Sequence, residues 1–149
     1  MRDIIPVMSD VAIDNVRRLE TLIMDQPQIE FETLHVLHGG MYARTVTIPA
    51  GGLITGALIK IPTMLIISGA VTVYTDDGPA DFIGYHVIPA AAGRKTAFLA
   101  QIDTELTMMF PTAARTVEEA EAEFTDETDL LVSRAGKNTV MTGDMICQA

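Results

Sequence analysis

Tyr42, Arg44, Tyr85 and His86 are the side chains of this sequence best placed to move a proton or hold an anion, because each lies in a strand-like stretch. In Tyr42-Ala-Arg-Thr-Val-Thr-Ile48, residues 42, 44, 46 and 48 alternate with the small or polar Ala43, Thr45 and Thr47. That period of two sets Tyr42 and Arg44 on one face of a β-strand. If the face points into a barrel, Arg44 is an interior ion-pair partner, with Glu105 as a candidate, or a clamp for an anion. Tyr85 or His86 can project into the same interior. A tyrosine and a histidine offer general acid–base chemistry, but no aspartate stands in register to complete a pair with His86. Arg94 and Lys95 follow Gly93 and put two cations on a glycine turn, where they could meet a carboxylate or phosphate. A solvated loop offsetting an acidic surface is the preferred reading of that turn.

Other chemistries are poorly served. His35 and His38 are three apart at a strand end, hence on opposite faces, and read as hydrogen-bonded edge residues rather than metal ligands. A P-loop, a dinucleotide fingerprint and a nucleophile beside a base are all missing from the sequence. Cys147 is the single cysteine, so no internal disulfide is possible and a reducing compartment fits. With 20 acidic against 10 basic side chains, the net charge of −10 disfavours a nucleic-acid partner. The chain is 48 % hydrophobic, yet its longest apolar stretch carries Lys60, Pro62, Thr63 and Ser68. It falls short of the roughly 20 apolar residues of a membrane span. Asp3 stands where a signal peptide would be basic, so the expected location is the cytoplasm or a virion.

The elements that would position these residues are short. Ser9 and Asp10 are good N-caps, and Ala12, Val16, Leu19 and Ile23 form one apolar stripe, so a helix is predicted over Asp10–Met24 and ends at Asp25-Gln-Pro27. That stripe must pack on a barrel exterior or on a second subunit. Strands are predicted over residues 29–37 and 42–48, in three or four segments up to Tyr74, and over 82–88, 96–102 and 105–110. Ser68-Gly69 and Asp76-Asp-Gly78 are read as the turns of the central stretch. Thr116-Val-Glu-Glu119 is a capping box opening a short helix with Val117, Ala120 and Phe124 inward and an acidic outer face. The fold class is all-β, a jelly-roll barrel with an N-terminal helix, a short acidic C-terminal helix and an extended tail. The expected units are residues 1–28, 29–112 and 113–149.

Tyr42-Ala-Arg44, Ile48-Pro-Ala-Gly51, Gly56-Ala-Leu58, Gly69, the turn from Pro89 to Gly93-Arg-Lys95, and Phe110-Pro-Thr112 carry a resemblance. Over roughly residues 29–125 the chain resembles a small cupin-like family met mainly in tailed phages and prophages. The resemblance implies a cupin jelly roll and an origin in a phage particle or its assembly. Metal cupins place histidines and a glutamate after the two glycine turns. Here those slots read Leu58-Ile59-Lys60, Pro62-Thr63-Met64 and Thr96-Ala97-Phe98, so no metal and no cofactor is expected. Leu58, Ile59, Met64, Phe98 and Phe110 are instead expected to fill the barrel. The preferred function is a non-enzymatic, metal-free structural or interaction module, homo-oligomeric and in contact with other virion proteins. The alternative is a metal-independent cupin that binds or isomerises a small polar molecule such as a sugar, with Tyr42, Arg44, Tyr85, His86, Arg94 and Lys95 as its ligand-binding residues.

Overall fold

The computed structural model describes residues 4–143; Cys147 lies outside them. Helix α1 (Asp10–Met24) begins where the Ser9 side chain accepts the Ala12 amide at 3.2 Å. Then come β1 (Glu32–His38), β2 (Met41–Ile48), β3 (Leu53–Thr55), β4 (Thr63–Thr75), β5 (Gly78–Ala90), β6 (Ala97–Ala100), β7 (Thr104–Pro111), helix α2 (Val117–Phe124) and β8 (Lys137–Thr142). Two single 3-10 turns, Thr128–Leu130 and Val132–Ala135, link α2 to β8.

The strands form one sheet in the order β3-β6-β4-β7-β2-β1-β8, with β5 on the remaining edge of β4. The sheet curls because β4 has divided loyalties. Its residues 64–68 pair with β7 and its residues 71–74 with β6, while β5 follows it from end to end. The bend lies at Gly69, which faces Gly84 of β5; both have positive φ, +145° and +94°. A Cβ at Gly69 would collide with Thr104, whose Cα lies 2.9 Å from that point, so the two strands approach closely only because the side chain is missing.

Ser68-Gly69 is therefore not the turn expected from the sequence; β4 runs through it, and the hairpin turn comes at Gly78. A glycine can bend a paired strand as readily as end it. The first strand also starts later than expected, at Glu32, leaving Ile29 in the connection and 48 % exposed. Val46, Ile48, Ile67, Val71, Val73, Ile88 and Phe98 belong to one buried cluster; Tyr42, Met108, Phe110, Ala120 and Phe124 form a second at one end of the sheet. Helix α2 closes that end. Half of the expected capping box forms: Thr116 Oγ1 accepts from the Glu119 amide, but the Glu119 carboxylate accepts from the amide of Arg115, one residue before the cap, both at 3.2 Å.

Helix α1 lies outside the sheet with Val16 buried. Polar ties hold it as well as the stripe does: Ser9 binds the Asp76 carboxylate, and Arg17 pairs with Glu127 at 2.6 Å. The tail adds β8, parallel to β1 with Asn138 opposite Thr33.

Candidate functional site

The alternation of β2 does turn Tyr42 and Arg44 inward, to 0 % and 6 % exposure. Each is already committed. The Tyr42 hydroxyl lies 2.7 Å from His35 Nδ1, and His35 Nε2 lies 2.7 Å from Asn138 Oδ1. Asn138 Nδ2 donates to the carbonyls of Ser133 and Gly136, so Oδ1 is what faces the ring. His35 is therefore the neutral tautomer that donates from Nε2 and accepts the phenol proton on Nδ1. Burial lowers its pKa, against the hydrogen bond to Asn138, which raises it; nearby Arg44 lowers it further. Burial also pushes the Tyr42 phenol up to about 12, so it stays a donor. His35 is thus a buried link in a chain of hydrogen bonds rather than the edge residue expected from the sequence, because β8 covers that side of β1.

Arg44 donates to the Glu121 carboxylate at 3.4 Å and to Ser133 Oγ at 3.0 Å, with its guanidinium 5.8 Å from the Phe124 ring centre. Arg134 reaches the same carboxylate at 2.8 Å. Glu105, the partner considered from the sequence, points outward on β7 and is exposed. Although α2 is acidic and its outer face is expected to carry the carboxylates, Glu121 is 1 % exposed. The spacing held the signal: residues 117, 121 and 124 stand at i, i+4 and i+7, one face of a helix. Ser133 and Asn138 carried no local signal, since their partners are 89 and 103 residues away.

Arg94 and Lys95 correct the solvated-loop reading most sharply, at 3 % and 0 % exposure. The turn is pinned on both sides, by the Gly93 amide on the Ile59 carbonyl and by the Met8 amide on the Gly93 carbonyl. Lys95 Nζ donates to Glu20 of α1 at 3.0 Å and to the Gly56 carbonyl at 2.9 Å, with Glu127 at 3.6 Å. It anchors the outer helix to the sheet and has no free valence for a ligand. Burial raises the Glu127 pKa, but its hydrogen bonds from Arg17 and the Leu58 amide, with Lys95 nearby, hold it below the usual carboxylate value.

Tyr85 and His86 do not join Tyr42 and Arg44. Tyr85 points outward on β5 at 69 % exposure, and His86 bonds its own strand at the Ile83 carbonyl, edge-on to Phe82. Of the expected fillers, Phe98 and Phe110 are buried, whereas Met64 faces outward at 40 % exposure. Alternation along β4 gives Thr63 and Leu65 the inner side instead. Among the described residues no three of His, Cys, Asp and Glu gather as a metal site would require. What remains inside is a cavity of about 100 Å³, lined by Arg44, Arg94, Leu65, Phe98, Leu106 and Met108 among others.

These features define a class: a mostly β protein whose curled, half-barrel sheet encloses a small mixed interior and carries two helices. No protein-family model matches the chain, and no curated protein matches it. Similar solved structures include proteins described as cupins. Salicylate 1,2-dioxygenase from Pseudaminobacter salicylatoxidans is 13 % identical, covering 74 % of this chain and 35 % of that one, with a TM-score of 0.49. A cupin superfamily protein from Desulfitobacterium hafniense is 14 % identical over 63 % of this chain and 87 % of that one, TM-score 0.45. The cupin domain of a transcriptional regulator from Enterobacter cloacae is 11 % identical over 48 % and 83 %, TM-score 0.40. Identities this low concern the fold alone, and any functional reading must rest on this chain's own residues.

Proposed function

We propose that this chain is a non-enzymatic, metal-free interaction module that pairs with a second copy of itself through the outer face of β4 and β5. The finer role, a virion or assembly component of a tailed phage, rests on the sequence resemblance. The observation that carries the reading is the outward row of β5: Ile83, Tyr85 and Val87 are 77 %, 69 % and 49 % exposed, beside Met64 on β4. Opposite them across the hairpin stand Ala70, Ser68 and Ile66, so the face is continuous and uncharged at its centre. Among the described strands, β5 pairs with β4 alone. An apolar face beside an open strand edge is a liability unless covered. A two-fold-related copy covers it with the same residues, since an isologous interface needs a patch complementary to itself. A net charge of −10 opposes contact between copies at most other faces and favours this one.

The alternative, a cupin acting on a sugar-sized molecule, finds less support. Tyr42 and Arg44 are held by protein partners, Tyr85 faces outward, His86 on the inner side of β5 is taken up by the Ile83 carbonyl and the Phe82 ring, and about 100 Å³ is well below the roughly 300 Å³ of ordinary small-molecule sites. Light scattering coupled to size exclusion tests the reading. The parent should run as a dimer or larger, and Ile83→Asp with Tyr85→Ser should run as a folded monomer. A monomeric parent at high concentration, or a variant of unchanged size, overturns it.

A further inference from the structure

Arg94 is a buried cation without an acid. Its side chain is 3 % exposed and lines the interior cavity, and no carboxylate lies within ion-pair distance of it among the described residues. Its acceptors are neutral: the Ala91 carbonyl at 2.8 Å, the Thr63 hydroxyl at 2.7 Å and the thioether of Met108 at 3.7 Å. Nε and one N–H of Nη1 donate to no described residue, and sulfur is a weak acceptor for a third. The rest of the interior does not supply the missing charge. Arg44, on the same cavity, shares the single Glu121 carboxylate with Arg134. A protein with a net charge of −10 thus holds an excess of positive charge inside. Desolvation lowers the Arg94 pKa to about 10, which still leaves it charged at neutral pH.

A buried charge is costly unless an opposite charge or several good hydrogen bonds meet it. We propose that the cavity is a binding site for a small monocarboxylate, its oxygens on Arg94 and its short hydrocarbon tail against Leu65, Phe98 and Leu106. Size and lining select that class. An apolar cavity of about 150 Å³ accepts a benzene ring, so about 100 Å³ accepts a shorter tail. Inorganic phosphate, polar on every side, would leave most of its oxygens against Leu65, Phe98, Leu106 and Met108. A guanidinium matches a planar carboxylate in shape as well as charge. The site is separate from the outer face of β5 and holds whether or not the chain self-associates.

The experiment uses the full chain and three probes, acetate, butyrate and inorganic phosphate, at constant ionic strength with chloride as reference. Calorimetric titration should show saturable binding of butyrate at about one per chain, tighter than phosphate, and at least tenfold weaker in Arg94→Met, which keeps the aliphatic stem. In ¹⁵N-labelled parent protein the Arg94 Nε–H resonance should move with butyrate to saturation while that of Arg18 stays still. This arm needs no variant to fold. Absence of saturable carboxylate binding, binding that leaves the Arg94 resonance unmoved, or phosphate binding as tight as butyrate would each overturn the proposal.

Discussion

Arg44 of β2 and Glu121 of α2 meet 3.4 Å apart although 77 residues separate them in the chain. The pair ties the closing helix to the sheet wall, and Arg134 extends it to the turns that lead into β8. Both members of the pair are nearly inaccessible, at 6 % and 1 % exposure. The contact is therefore structural, and it removes Arg44 from the pool of groups free to meet a ligand.

Glu121→Gln keeps the shape and removes the charge that two guanidinium groups share. Breaking one side of a buried pair costs about 3–5 kcal/mol, because the surviving charge stays desolvated. Urea unfolding of the variant should show a loss of this order. A loss under about 1 kcal/mol would mean that Arg44 finds water or Ser133 sufficient.

Gly69→Ala should cost more than about 2 kcal/mol, through a φ of +145° that L-residues avoid and the collision with Thr104. Gly78→Ala is the control. Its φ of +90° is also unfavourable, but a Cβ there meets nothing within 4 Å. Melting temperatures should fall further for the first variant; equal falls would show that backbone strain alone, and not the close approach to β7, requires glycine in β4.

His35 should make stability depend on pH in a defined window. Its folded pKa lies below the ordinary 6.5, so the unfolded chain binds the extra proton first. Stability is then full above about 6.5 and falls as the pH drops from there through the lowered folded value. The Glu127 contribution has the same sign but a lower window, being lost as the pH falls below 4.5 and on through its folded value. Comparing His35→Gln with the parent at pH 7.5 and pH 5 isolates the first effect, with pH 5 set about 1.5 below the ordinary histidine value. The parent should lose more stability over that interval than the variant; parallel losses would place the titrating group elsewhere.

Alternation and capping were legible because each depends on residues within a few positions of one another. Helix α1 falls where Ser9 and the spacing of Val16 and Leu19 place it, β2 turns Tyr42 and Arg44 to one face, and Thr116 opens α2. The same local rules misled at two glycines. Gly69 bends a strand that continues, and Gly93 belongs to a turn that is buried, because whether a glycine turn meets water depends on what packs over it. Residues 5–8 and the segment around Ile59 pack over that turn, and neither is near it in sequence.

By itself, then, the sequence determined the period, the faces and the start of each helix. Only the tertiary structure decided which charges meet. Glu121 with Arg44, Glu20 with Lys95, His35 with Asn138 and the solitary Arg94 are long-range outcomes. The physical reason is that a side chain's direction follows from the backbone of its own strand or helix, whereas its partner is chosen by how distant strands register and where the sheet bends.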